Sequence, residues 1–286
     1  MTPPVQAVLP DGRRRHFQHG PIDLVIEAFG AASQLALAYG QAWVRFQTVL
    51  EELVSELPAL RAPVGGPLEG GVARRMARAC APHGGVFVTP MAAVAGAVAD
   101  EVLAALLRGR EIARAYVNNR GDIALHLAPG ESFKTGLVTL GDEPALDVYT
   151  RISGVSAVRG IATSGWRGRS QSLGIADSVT VLASTAAAAD VAATLIANAV
   201  ETRDEAIDRL AARHIDADSD LGGRLVTVAV GALPPEAVDL ALGRGCDTAR
   251  AMVDRGLIEG AHLTLKSRSR VVGASKLLEK VASTNS

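Results

Sequence analysis

Apolar residues recur along this chain with two different periods, and the switches between them mark its elements. Ile22-Asp23-Leu24-Val25-Ile26-Glu27 alternates apolar and acidic positions, the spacing of a first strand with one wet face. From Ala31 to Leu57 the apolar residues Leu35, Leu37, Val44, Phe46, Val49, Leu50, Leu53 and Leu57 come mostly at three- and four-residue steps. That spacing predicts a long helix, closed by Pro58. A Pro- and Gly-rich connector from Pro58 to Gly71 leads to a short basic helix, Val72–Cys80, and then to Val86–Thr89, whose apolar run predicts a buried strand. Met91–Leu107 is rich in small residues and predicts a helix that lets another backbone come close. Ala115–Asn119 and Ile123–Leu127 flank a turn, the pattern of a hairpin.

Leu137–Leu140, Val148–Ile152, Val158–Thr163 and Asp177–Ser184 read as further strands, with a glycine- and arginine-rich loop at Ser164–Gly174 and a helix at Ala186–Val200. The last third predicts a helix at Glu205–Arg213, a strand at Leu225–Val230, a helix from Pro234-Pro235 to Arg255 and a strand at Ala261–Lys266. Pro235 suits a first helical position. The final six residues read as a frayed tail. Because strands and helices alternate irregularly and include hairpins, the expected class is α+β with a sheet of mixed direction, not a doubly wound parallel sheet.

Composition narrows the function. At 286 residues and 48% hydrophobic the chain can build a substantial core, and it is expected to form one domain over 1–286. The formal net charge of -1 gives no basic footprint for nucleic acid or an anionic membrane, so the expected partner is a small molecule. Cys80 and Cys246 have no metal or disulfide spacing. The apolar runs are broken by Ser, Thr and Asp before they reach membrane-spanning length, and no signal-like run follows Arg13-Arg14-Arg15. The expected location is therefore the cytoplasm. His16 and His19 beside those arginines form a basic cluster expected at a solvated edge.

Three segments carry candidate chemistry. Asp190 and Thr194 stand four residues apart on one face of the predicted helix 186–200, where a carboxylate and a hydroxyl can reach one hard cation such as Mg2+. Asn118, Asn119, Gly121 and Asp122 sit at the hairpin turn, where Asn and Gly tolerate positive φ and let the backbone approach a ligand. Thr163, Ser164, Gly165, Arg167 and Arg169 form a loop whose hydroxyls, amides and guanidiniums suit a pyrophosphate. No GxGxxG or Walker A sequence occurs.

Taken in order, four segments resemble the motifs of the ApbE family, the FAD:protein FMN transferases. Ala95-Gly96-Ala97-Val98-Ala99-Asp100 resembles its Lys-Gly-Tyr-Ala-Val-Asp helix, and Val117–Ile123 its Val-Asn-Leu-Gly-Gly-Asp-Ile turn. Ile161–Gly165 resembles its Ala-Thr-Ser-Gly loop, and Ala189–Thr194 its Ala-Asp-Ala-Leu-Ala-Thr metal motif. The similarity spans about residues 86–200 and points to an uncharacterised branch. It implies an α+β fold with a duplicated β/α unit, bound FAD or a related flavin, Mg2+ at Asp190 and Thr194, FAD pyrophosphate cleavage or FMN transfer, and a protein acceptor. The family's histidine-bearing segment is replaced here by Ser170–Asp177, and its lysine by Ala95. Asp177 is the substitute candidate for a catalytic group. These departures leave two other readings open, a non-catalytic flavin-binding module and an enzyme acting on a pterin-like ligand.

Overall fold

The computed structural model describes residues 2–63, 66–139, 145–168, 170–273 and 278–280. Leu140, Arg169 and the tail 281–286 lie outside them. The chain forms two compact units, each assembled from separate segments: 1–132, 153–162 and 183–191 in the first, and 133–152, 163–182 and 192–286 in the second.

The first unit is an antiparallel meander with helices on it. Strands β1 (Val5–Val8), β2 (Arg15–His19), β3 (Ile22–Phe29), β4 (Arg114–Asn119) and β5 (Asp122–Leu127) pair in sequence order, and β8 (Gly160–Ser164) follows β5. The register sets Ile26 opposite Val117 and Val117 opposite Ala124, so one face is continuously apolar. Helices α1 (Ala32–Ser55), α2 (Leu57–Leu60), α3 (Gly71–Cys80) and α4 (Val94–Leu107) belong to this unit, with α4 packed on α1, α3, β4 and β5. Phe17 anchors the core, edge-on to Trp43 with ring centroids 5.0 Å apart and tilted against Phe46. Pro90–Leu107 is long and apolar enough to cross a membrane by composition, and just over half of it is buried in the fold.

The second unit holds β9 (Ser178–Ala183) beside β12 (Gly260–Leu265) and β13 (Arg268–Gly273), all antiparallel, with α7 (Pro235–Asp254) packed on β12 and β13. A ribbon of β10 (Ile207–Ala211) and β11 (Leu225–Val230), the one-turn α6 (Ala212–Ile215), and a small sheet ordered β14 (Leu278–Lys280), β7 (Ala145–Ser153), β6 (Ser132–Thr139) complete it. Helix α5 (Ala186–Ala199) begins in the first unit and ends in the second.

The class is α+β as expected, with seven α-helices among the described residues. The pairings from β1 to β5, β5 with β8, and β9 with β12 and β13 are antiparallel where a sheet of mixed direction was expected. Hairpins join β1 to β2, β2 to β3, β4 to β5 and β12 to β13, and a hairpin pairs its strands antiparallel. Several elements differ from the sequence reading: β13 follows the strand read as last, and Pro58 lies in the one-turn α2 just after α1 ends at Ser55. The hairpin β1–β2 precedes the strand read as first, and His19 lies buried on it against Phe46 instead of at a wet edge. Val86–Thr89 is irregular and pairs with no strand; Val88 and Thr89 are buried while Val86 faces out. The helix expected over Glu205–Arg213 is strand β10 followed by α6, because pairing with β11 satisfies its backbone where so short a polar helix would have no packed face.

Candidate functional site

In the first unit the predicted motifs meet at the start of α4. The residue before this helix is Ala93, which has no side chain to cap it, so its first N–H groups need an outside acceptor. Asp190, from the second turn of α5, supplies one. The Gly96 N–H donates to Asp190 Oδ2 at 2.9 Å, and the Ala95 N–H also bonds this carboxylate. The arrangement is mutual. Asp100, in the second turn of α4, accepts the Ala186 N–H at 3.1 Å and the Ala187 N–H at 2.9 Å, and so caps α5. Each helix thus begins on a carboxylate carried by the other, 86 to 94 residues away in sequence.

Gly96 makes this crossing possible. A Cβ there would lie 2.3 Å from the Ala186 carbonyl oxygen and 2.7 Å from the Ala187 nitrogen, well inside contact distance. Gly160, on β8, is under the same constraint, with Thr185 backbone 2.1 Å from where its Cβ would be. Asn119 joins the cluster from β4: it is buried, and its Nδ2 donates to the Ala95 carbonyl at 3.1 Å.

The electrostatics are unusual for two carboxylates. Asp190 is pushed up to about 7, first by burial and further by the nearby Asp100 charge, while the Gly96 and Ala95 amides pull it down. Asp100 is also raised, again chiefly by burial, against the two amides it accepts and the Arg75 charge. Cys80 lies close enough for Asp190 to help burial push its thiol up to about 12, and its Sγ donates to the Thr89 carbonyl at 3.4 Å. Among the described residues no three His, Cys, Asp or Glu side chains gather into a cage, so a transition-metal centre is not built here. A hard cation asks for less. An ionised carboxylate has about four acceptor positions; the Gly96 and Ala95 amides use two of those on Asp190. Thr194, half-buried, follows one turn later on α5.

The hairpin turn is narrower than the sequence suggested. Asn118 and Asn119 are strand residues, Asn119 pairs with Asp122, and only Arg120 and Gly121 form the loop, with φ of 57° and 115°. Those values suit a two-residue hairpin turn with positive φ at both positions. Asn118 Oδ1 accepts the Gly121 N–H at 2.7 Å, so its side chain shapes the turn. Asp122 is half-buried at the start of β5.

The loop after β8 belongs to the second unit, and Asp177 holds its start. Asp177 is buried, and its Oδ1 accepts from Arg167 Nε at 2.8 Å and from Trp166 Nε1 at 3.2 Å, while Oδ2 accepts the Lys266 N–H. Both oxygens of the residue singled out as a catalytic candidate are therefore engaged, Oδ1 with the loop and Oδ2 with the β12–β13 turn. Arg167 also lies over the Trp166 ring, 4.9 Å from its centroid. Gly165 is required by close approach, since a Cβ would stand 2.5 Å from the Asp177 carbonyl oxygen. Thr163 Oγ1 shares a 2.8 Å hydrogen bond with Thr180 Oγ1, and Ser164 is half-buried beside it. Asp100 and Cys80 were not singled out by sequence reasoning; only the Asp that ends the Ala95–Asp100 segment hinted at the first.

Comparison with known proteins places these motifs in a family. The model described as "AbpE bacteria" matches residues 6–276, nearly the whole chain. The chain belongs to that family. A UPF0280 protein of Methanopyrus kandleri is 36% identical over 210 residues, covering 68% of this chain and 81% of its own. A UPF0280 protein of Methanosphaerula palustris is 36% identical over 188 residues, covering 60% and 70%. Among solved structures, the apo form of the flavinyl transferase ApbE of Pseudomonas stutzeri aligns with a TM-score of 0.49 at 12% identity, over 96% of this chain and 95% of that one. The four ordered segments of this AbpE-type chain all lie within the matched residues.

Proposed function

We propose that this protein binds a flavin nucleotide, FAD first among them, together with Mg2+, and cleaves the pyrophosphate or transfers the FMN half to an acceptor. The observation that carries the reading is the meeting of three ApbE-like segments at one helix start. Asn119, Ala95-Gly96 and Asp190 are separated by up to 95 residues in sequence and joined by hydrogen bonds of 2.9 and 3.1 Å. A set of motifs that resembled the family by chance would have no reason to converge.

Asp190 and Thr194 would supply the oxygen ligands for the cation, with water and phosphate oxygens completing its shell. Once bound, the cation would neutralise charge developing on the pyrophosphate. In the second unit the Thr163–Arg167 segment offers hydroxyls and amides to an anion, and Asp177 enters the proposal as the anchor that keeps this segment in shape. The Asn118–Asp122 hairpin would approach the ligand through its backbone at Gly121.

Purified protein incubated with FAD and Mg2+ should yield FMN and AMP by chromatography, or a fluorescent flavin on an acceptor protein. Absence of flavin affinity in isothermal titration would overturn the reading. So would a pterin identified by mass spectrometry as the ligand that copurifies.

A further inference from the structure

One buried face of the second unit is polar. In the antiparallel pair β9–β12, Thr180 stands opposite His262 and Ser178 opposite Thr264, so these four side chains share one face. All are at most 5% exposed. Ser178 and Thr264 satisfy one another with a 2.7 Å hydroxyl hydrogen bond. The other face of the same strands carries Val179, Val181 and Leu263, and α7 packs there, a Cβ at Gly245 being 2.8 Å from Leu263 Cδ2. The polar row lies on the face opposite to the one that packs on α7.

The row leads to the loop. Thr180 Oγ1 is hydrogen-bonded to Thr163 Oγ1, and Thr163 is the last strand residue but one before Gly165 and the anchored Trp166 and Arg167. We propose that His262, Thr180 and Thr163 form a proton relay, with His262 as its inner acceptor and Thr163 as the end that meets the reacting hydroxyl. The proposal rests on the flavin reading above. In the step, the acceptor oxygen, from water or a side-chain hydroxyl, forms a bond to the FMN-side phosphorus. The bond from that phosphorus to the bridging oxygen breaks, and AMP leaves with the electron pair. The acceptor's proton passes to Thr163 Oγ1, Thr163's own proton to Thr180 Oγ1, and Thr180's to the His262 ring, which later releases it to solvent. Hydroxyls suit this role because each both donates and accepts. His262 acts through Thr180 and is a positioning residue for the chemistry.

The test compares wild type with His262→Gln, Thr180→Val, Thr180→Ser and Thr163→Val, measuring FAD affinity by flavin fluorescence and turnover by AMP release. The relay requires kcat to fall about 100-fold in the Gln and both Val variants, as for loss of a positioned base, with FAD affinity of His262→Gln and Thr180→Val within about threefold of wild type; Thr163, whose hydroxyl also serves the anion, is read by kcat alone. Thr180→Ser, which restores the hydroxyl, should recover most of kcat. Thr163→Val tests the half-buried end of the row, so a folding defect at His262 does not shield the proposal. Turnover of the Gln or Thr163→Val variant within about twofold of wild type overturns it. Wild type that binds FAD without releasing AMP overturns the relay while leaving a flavin-binding protein; wild type that binds no flavin overturns the functional reading and the relay together.

Discussion

Replacing Gly96 with alanine tests the mutual capping of α4 and α5 more directly than any carboxylate substitution. The new methyl would sit 2.3 Å from the Ala186 oxygen and 2.7 Å from the Ala187 nitrogen, against an ordinary contact of 3.4–4 Å. The two helix starts must separate by about 1 Å, the shortfall between those distances. Such a shift stretches the 2.9 Å bond from Gly96 to Asp190 and the 3.1 and 2.9 Å bonds from Ala186 and Ala187 to Asp100 beyond useful length. Overpacking costs about 1–3 kcal/mol, and three weakened cap bonds cost about 1 kcal/mol each. Alanine's better helix propensity returns about 1 kcal/mol. The net expectation is a loss of about 3–5 kcal/mol, or about 10 °C in Tm for a chain of this size. Gly40 is the control, since it lies exposed in α1 with nothing within 4 Å of a Cβ. Gly40→Ala should stabilise by about 0.5–1 kcal/mol. Thermal and urea unfolding of both variants would decide the matter, and a Gly96→Ala protein as stable as Gly40→Ala would refute the capping argument.

Asp190 gives a pH signature. Its carboxyl titrates near 7 when folded against 3.8 unfolded, so the native state holds the extra proton between those values and stability should fall as pH rises through that window, by at most about 4 kcal/mol. Urea midpoints of Asp190→Asn should show a flatter profile over the same range, and an unchanged slope would sink the assignment. If Asp190 holds Mg2+, cation and proton compete, so Mg2+ affinity measured by titration calorimetry should rise about tenfold per pH step below 7, with proton release, and disappear in Asp190→Asn. Asp177→Ala removes the Arg167 ion pair and the Trp166 indole hydrogen bond; a loss of about 3 kcal/mol and a red-shifted Trp166 emission on a Trp43→Phe background are expected, and an unshifted spectrum would count against the anchor. Arg120 holds φ at 57° in the hairpin turn, so Arg120→Asn, the residue best suited there, should raise the unfolding free energy from urea titration by about 0.5–1 kcal/mol, and a lowered value would count against the turn assignment.

Much of this architecture is legible in the chain because long periodic segments leave little choice. The helices α1, α4, α5 and α7 follow from apolar spacing and from Pro58 and Pro235 as boundaries, and the hairpin β4–β5 from its Asn and Gly turn. β1 escapes because all four of its residues are exposed and show no alternation, and β2 because Arg15, His16 and His19 hide its pattern. Val86–Thr89 has the composition of a strand but no edge to pair with. At the site, Asp190 and Asn119 are visible as chemical types, yet their partners are not, for capping at a distance of 86 to 94 residues leaves no local trace. His262 is hidden for a similar reason. Within Ala261-His262-Leu263-Thr264 it reads as one more inward position of a strand, and only the register with Thr180 shows what it faces.

The exchange of caps between α4 and α5 also bears on the order in which the chain matures. When synthesis has passed Leu107, α4 is complete in sequence but lacks the carboxylate that starts it, and that carboxylate emerges only with Asp190. Until then its first turn frays, and an apolar segment long enough to attract a membrane or a chaperone remains loosely held. The start of α4 is no finished part awaiting assembly; its carboxylate cap comes only with a long-range contact, the kind that slows folding.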